Sequence, residues 1–373
     1  MKVLFVWNGP ANEAERSVLA RREAPLLREL ETEGVHATVA LFGDGGGLRH
    51  DLRASGADVR FFSTPLAPSP STLARIPIAV LRLRRLLAEV NPEIAEGLEP
   101  MPGIALGLAG IGRRGTLVLY RRQHPPGNAR LTMASRLAAR LAAGTVVSCE
   151  AIRQDTQLDD RTPLERVYVS TTGVVDPRRV PPGEAAEARR SLGIAESARV
   201  IGVVSRLRRE KGIDVLLRSL AYLEGAGDVH VVIAGTGPEE PLLRELAARA
   251  SVPVHFIGHR DDVEVWYAVA DVIAMPSKRE SFGRTTVEAM AAGRPLVASR
   301  VGGLAEAVVD GETGILVPSA DAEALGAALR RLLGDNALMR RCGEAARARF
   351  EAAFTIEHMA AARRRVWERA LGR

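Results

Sequence analysis

Short runs of consecutive apolar residues alternate with segments of helical spacing along almost the whole chain. In the first half, Val3 to Trp7, Val35 to Phe42, Val59 to Phe62, Glu93 to Ala95, Thr116 to Tyr120, Thr145 to Val147 and Val167 to Val169 read as strands. In the second, Val200 to Val204, Val229 to Ala234, Val254 to Ile257, Asp271 to Met275 and Gly314 to Val317 do the same. Strands that are apolar on both faces and separated by helices belong to parallel sheets covered on both sides, so the fold class is α/β. At 373 residues with 46% hydrophobic positions, the chain exceeds one typical domain and suits two. The proline- and charge-rich DPRRVPPG, Asp176 to Gly183, reads as the link between them. The expected division is residues 1–176, a linker at 177–183, a second domain at 184–354, and a long basic helix within 355–373.

The most informative stretch runs from Ala274 to Val301. It reads as a buried strand, a polar loop from Pro276, a helix capped by Thr285 or Thr286, a glycine stop at Gly293 and a second buried strand. A strand end, a glycine-containing loop and a helix N-terminus converge backbone N–H groups on an anion. Glu280 in the loop and Glu288 on the helix approach such a ligand from different directions. Three other strand ends carry comparable loops: SRLRREKG at 205–212, the turn beginning Gly235-Thr236-Gly237, and Gly258-His259-Arg260-Asp261-Asp262, where an aspartate is placed to cap the next helix. In the first of these, Arg206 and Lys211 point back toward the strand end, where together they neutralise a diphosphate.

Charge sharpens this picture only slightly. The net charge of +6 suits nucleic acid, an anionic membrane or a phosphorylated substrate, and sign alone does not choose. Lysine occurs only at positions 2, 211 and 278 among 51 basic residues, and two of the three fall in the loops just described. Cys149 and Cys342 lack metal-ligand spacing, so neither a structural metal nor a disulfide framework is expected. The start MKVLFVWNGP leads into polar sequence, and no run of about eighteen apolar residues occurs, which points to a cytoplasmic protein. GDGGG at 43–47 lacks the order of a dinucleotide fingerprint and reads as a loop.

Two features of the first half bear on partners. Leu73 to Val90 is a basic amphipathic run; a surface helix packed on the sheet is the simpler account, and peripheral contact with an anionic membrane is the alternative. His124 lies just past a strand end, where open α/β sheets bind ligands.

From about Val200 to Val317 the chain resembles the donor-binding domain of retaining glycosyltransferases of family 4. SRLRREKG, AGTGPEE, FIGHRDD, ADVIAMPS and RESFGRTTVEAMAAGRPLVAS match in order and spacing, and Glu280 and Glu288 match the family's two glutamates separated by seven residues. The first half resembles the acceptor domain more loosely. The resemblance implies the GT-B fold, two Rossmann-like doubly wound domains facing across a cleft, with the last helix crossing back to the first domain. It implies an enzyme that moves a sugar from a nucleotide-diphosphate donor, a UDP-sugar by preference, to a hydroxyl of a glycan, lipid-linked or small-molecule acceptor, with no metal or other cofactor. Arg206 and Lys211 would hold the diphosphate. Ser281, Phe282, Gly283, Arg284, Thr285 and Thr286 would add helix-terminus stabilisation, with Gly235 in the adjoining turn. Glu280 and His124 would act at the sugar and the attacking hydroxyl, Glu288 at the ribose, and His259 and Arg260 at the base.

The departures concern the acceptor. Members usually carry adjacent glycines after the first strand, whereas Asn8-Gly9-Pro10-Ala11-Asn12 stands here, leaving Gly9 and Asn12 as acceptor-side candidates; Pro125 and Pro126 after His124 are also atypical. A nucleotide-sugar epimerase or synthase on the same fold is the nearer alternative. A nucleic-acid-binding protein is disfavoured by 4% aromatic residues and the lack of a basic-aromatic platform.

Overall fold

The computed structural model describes the chain except for residues 10–12, 44–46, 67–74, 123–128 and 226, and for residues 13–18 it describes the backbone alone. Two compact units result, Met1–Thr172 with Ile356–Arg373, and Gly173–Thr355.

The first unit is built on seven strands: β1 Lys2–Asn8, β2 His36–Phe42, β3 Asp58–Phe62, β4 Ile94–Leu98, β5 Leu117–Arg121, β6 Gly144–Val147 and β7 Val167–Val169. Their order is β3-β2-β1-β4-β5-β6-β7. All neighbours pair in parallel, so the direction of winding reverses between β1 and β4. One face carries a core of Val3, Phe5, Trp7 and Leu41 against Leu27, Leu30 and Trp367, which brings helices Glu13–Thr32 and Ile356–Leu371 to that side. The other face, with Leu4, Val6 and Tyr120, is covered by helices Ile76–Val90, Pro100–Gly110 and Ala129–Leu141. Pro25 lies inside a helix that continues unbroken through it.

The expected strand at Glu93 to Ala95 is longer and begins later. β4 runs on through Glu96, a residue that an apolar pattern reads as a stop. Glu96 is fully buried in the sheet, and neighbours neutralise it: Arg363 Nη1 lies 2.5 Å from Oε1, and Trp367 Nε1 donates to Oε2 at 3.3 Å. Arg363 also reaches Ser170 Oγ at 3.1 Å, and Arg121 bridges Glu96 at 3.7 Å to Glu23 at 3.2 Å. A buried carboxylate is tolerable only when its charge is met in this way. The network therefore fixes helix Ile356–Leu371 to the sheet of the first unit.

The second unit has β8 Arg199–Val204, β9 Val229–Ala234, β10 Val254–Gly258, β11 Val272–Met275, β12 Leu296–Ser299 and β13 Gly314–Val317, in the order β10-β9-β8-β11-β12-β13 and again parallel. Its winding reverses between β8 and β11. The segment expected as a linker is held by this unit instead. Asp176 takes both terminal nitrogens of Arg347 at 2.6 Å, Arg178 pairs with Glu184 and Glu264, and a helix starts at Pro182. Its prolines and charges serve local ion pairing. Among the described residues no helix is long and apolar enough to cross a membrane, and both cysteines are free and buried.

The network makes a prediction about acid stability. Burial alone would raise the Glu23 carboxyl, but the guanidinium groups of Arg121, Arg22 and Arg363 outweigh it and hold the pKa at about 2, below the ordinary 4.5. A depressed carboxylate contributes stability above its unfolded pKa and loses it as the pH falls toward the folded value, here a loss of roughly 3 kcal/mol between about pH 4.5 and 2. Denaturant unfolding across that range should show this slope in the parent protein and a flatter one in Glu23→Gln, which is less stable at neutral pH.

Candidate functional site

At the carboxyl ends of β8 and β11 the loops lie backbone against backbone. Gly212 has φ of +63°, and a Cβ there would sit 2.0 Å from the carbonyl oxygen of Pro276. Gly302, at φ +47°, would place a Cβ 1.9 Å from the carbonyl oxygen of Glu280. Only glycine permits either approach. Backbone hydrogen bonds complete the stack: Lys278 N–H to Glu210 O at 2.8 Å, Leu207 N–H to Thr236 O at 2.9 Å, Gly303 N–H to Ser281 O at 2.8 Å, and Gly235 N–H to Gly258 O at 2.6 Å. Gly235 thus joins the loops after β9 and β10 to the same edge.

Within this stack Lys211 and Glu280, 69 residues apart, meet with Nζ 2.6 Å from Oε2, and Ser277 Oγ donates to the same oxygen at 3.2 Å. Glu288 is held separately. Tyr267 OH donates to its Oε2 at 3.0 Å, and Arg284 Nε lies 2.9 Å from Oε1 across one helical turn. Arg206 differs from both: it is exposed, and its guanidinium has no ion pair among the described residues. The third lysine, Lys278, is tied to Asp214 at 2.8 Å and braces helix Ile213–Ser219 against the loop.

The helix expected to be capped by threonine is Arg284–Ala291, and its N-cap position is Gly283 at φ +80°, with no side-chain cap. Thr286 is fully buried, Thr285 Oγ1 lies 3.7 Å from Met275 Sδ, and Phe282 packs edge-on against Phe354, so these side chains build the loop's underside. A Cβ at position 283 would meet Leu304 at 2.6 Å, which explains why glycine rather than a capping hydroxyl stands there. No side chain therefore caps the opening amides of this helix. Likewise Asp262 precedes helix Val263–Val269 without capping it, because both its oxygens are taken by Arg260, at 2.8 and 2.6 Å. Arg260 also lies over the Trp266 ring at 5.3 Å. His259 is half exposed and 3.6 Å from Asp261.

In the first unit, Gly9 closes β1 at the switch point, donating to Phe42 O at 2.6 Å. His124 and Asn12 lie outside the described residues. The strand end leading to His124 is firmly held, since Arg122 reaches Asp159 at 2.7 Å, Asp160 at 3.1 Å and Thr156 at 3.0 Å. Sequence reasoning missed Tyr267, Ser277 and Asp214. Asp214 follows Lys211 closely enough to be suspected, whereas Tyr267 stands 21 residues from its glutamate and carries no local signal.

Residues 184–349 match the family model described as "Glycosyl transferases group 1". Over 205 residues the chain is 40% identical to a D-inositol 3-phosphate glycosyltransferase of Corynebacterium urealyticum, covering 51% of this chain and 48% of the relative. It is 32% identical over 206 residues to the lipopolysaccharide core biosynthesis mannosyltransferase LpsB of Rhizobium meliloti, covering 52% and 59%. The chain therefore spans about half the length of the curated relatives it matches. Anabaena Alr3699/HepE in complex with UDP superposes with a TM-score of 0.82 at 22% identity, over 98% of this chain and 99% of that one. Sucrose-phosphate synthase (tll1590) of Thermosynechococcus elongatus gives 0.77 at 20% identity, over 100% and 99%. Together with the two parallel sheets, these full-length matches give the chain the GT-B fold.

The loop stack is testable. Gly302→Ala should lower the unfolding free energy by at least about 2 kcal/mol, combining a left-handed φ with a backbone clash. Gly311→Ala, at φ +78° but with nothing within 4 Å, should cost only about 1 kcal/mol. Denaturant titration of the two variants side by side checks the difference.

Proposed function

We propose that the protein is a retaining glycosyltransferase that moves a sugar from a nucleotide-diphosphate donor to a hydroxyl acceptor without a metal. The observation that carries this reading is the Lys211 and Glu280 pair at the β8/β11 switch point, with Arg206 exposed on the same loop as Lys211. In the free protein Glu280 holds the ammonium. A bound diphosphate competes for it, and as Lys211 turns to the phosphate the Glu280 carboxylate becomes available to the sugar hydroxyls. Arg206 and Lys211 then stabilise the negative charge that grows on the leaving diphosphate, where preorganised cations contribute most. They supply the charge that a metal would otherwise bring. Glu288, oriented by Tyr267 and Arg284, takes the ribose hydroxyls, and the His259 and Arg260 loop takes the base.

Retention by double displacement uses two carboxylates about 5 Å apart at the sugar, one of them a nucleophile. Glu288 is engaged with Tyr267 and Arg284, which leaves Glu280 alone for the sugar. Same-face attack fits better: the bond from the anomeric carbon to the phosphate oxygen breaks, the acceptor hydroxyl attacks from the same side, and its proton passes to the departing oxygen. His124, which follows β5 in sequence, is assigned to this step from the looser resemblance of the first half to acceptor domains. A UDP-sugar is the preferred donor, a preference supported by the complex of Anabaena Alr3699/HepE with UDP and glucose, a structure that shares the fold.

UDP, tested beside GDP, ADP and dTDP in the presence of a chelator, should raise the thermal midpoint by a few degrees at a hundred times its Kd, about 2.7 kcal/mol. The Arg206→Ala, Lys211→Ala double variant should lose that shift. Failure of every nucleotide to stabilise the folded parent would overturn the reading. Glu280→Gln should lower turnover far more than nucleotide affinity, whereas Tyr267→Phe should weaken nucleotide binding several-fold with a smaller effect on turnover; steady-state rates with calorimetric affinities separate the two. Product analysis with and without an acceptor distinguishes transfer from epimerisation or synthase chemistry.

A further inference from the structure

In the first unit, helices Ile76–Val90, Pro100–Gly110 and Ala129–Leu141 all pack on the same face of the sheet through one core. The middle helix is apolar nearly all round and largely buried, between the other two. The outer pair present their remaining sides outward, in the same direction away from the sheet, and those sides are not ordinary solvated surfaces. Ile78 and Leu81 on the first are 49% and 60% exposed, and Met133 and Leu137 on the second are 71% and 46% exposed. On each helix these residues fall on one stripe of helical spacing. The stripes are completed by arginines: Arg84 and Arg85 on the first, Arg130 and Arg140 on the second, all exposed.

None of these four arginines has an ion pair among the described residues. Across the three helices six arginines face a single acidic residue, Glu89, and that one is bound to Arg60 at 2.8 Å. The opposite layer of the same sheet mixes both signs, as Arg364 with Glu33 and Glu368 illustrates. A solvated face gains nothing from large exposed apolar side chains. A protein interface would usually supply carboxylates to some of the guanidinium groups. Exposed Leu, Ile and Met interleaved with uncompensated Arg fit an interfacial surface, apolar groups entering the acyl boundary and cations at anionic headgroups.

We propose that this helical face of the first unit docks on an anionic lipid bilayer through the paired stripes Ile78/Leu81 and Met133/Leu137 flanked by Arg84, Arg85, Arg130 and Arg140. The inference rests on the first unit alone and is independent of the donor chemistry. It favours the membrane alternative for the basic run at 73–90, because exposure on a second helix supplies what one amphipathic pattern could not.

Co-sedimentation of the full chain with vesicles of phosphatidylcholine containing 30% phosphatidylglycerol, beside vesicles of phosphatidylcholine alone, tests it. Binding is expected to the anionic vesicles, weakening as salt is raised, with at least tenfold less on the neutral ones. Two variants, Leu81→Ser with Met133→Ser, and the four arginines changed to glutamine, should each lower the partition at least tenfold while keeping the parent's unfolding midpoint within a few degrees. Absence of binding by the parent, or undiminished binding by both folded variants, would overturn the proposal. So would a dimer that the Leu81→Ser, Met133→Ser change disperses without any vesicle binding, which would assign the face to a second copy of the chain.

Discussion

The 2.0 Å that would separate a Cβ at Gly212 from the carbonyl oxygen of Pro276 sets the geometry of the second unit. A parallel sheet delivers every strand's carboxyl end to one edge, but that alone leaves the following loops free to splay. Here the loops after β8 and β11 touch through their main chains, and Gly302 brings a third segment against Glu280 in the same way. A side chain at either place would force the loops apart. The 2.6 Å contact of Lys211 with Glu280 therefore depends on atoms that are missing rather than on any group that attracts. The same device fixes the first turn of helix Arg284–Ala291, where glycine at the N-cap leaves the opening amides unobstructed.

The two units use arginine in opposite ways. In the first, Arg121, Arg122 and Arg363 are buried and consumed by carboxylates, which makes them structural elements with no capacity left for a ligand. Breaking one such pair strands a charge in the interior, and that is costly. In the second, Arg206 stays exposed at the switch point, and Lys211 is held by the partly buried carboxylate of Glu280. The guanidinium of Arg206 is thus free of ion pairs among the described residues, whereas the ammonium of Lys211 is engaged.

Much of this was legible along the chain. The strands were, because a buried parallel strand writes itself as consecutive apolar residues: β7, β9 and β13 fall where the pattern put them. The loops after β8 and β11 were legible too, since glycine, lysine and glutamate are conspicuous there. Illegible were the contacts that close over long separations. Glu96 reads as the end of a strand until Arg363, 267 residues on, is seen to neutralise it. The threonine and aspartate caps failed for a related reason: local preference lost to the packing of Leu304 against Gly283 and to the Arg260 chelate of Asp262. DPRRVPPG has a linker's composition, yet Arg347 and Glu264 recruit it. Exposure is the remaining gap, because spacing shows that a helix has an apolar stripe and cannot show that a second stripe, as on Met133 and Leu137, remains uncovered.

Helix Ile356–Leu371 belongs to the first unit, while everything from Gly173 to Thr355 belongs to the second. During synthesis the second unit is complete when Thr355 leaves the ribosome, but the sheet of the first still holds Glu96 without Arg363 or Trp367. The earlier-made half must wait for the later-made one. Until residues 356–371 emerge, its hydrophobic face around Phe5 lies open and its central carboxylate is unmet. Nascent chains of this protein thus pass through a stage in which the translated N-terminal unit is the more vulnerable of the two to chaperones and proteases.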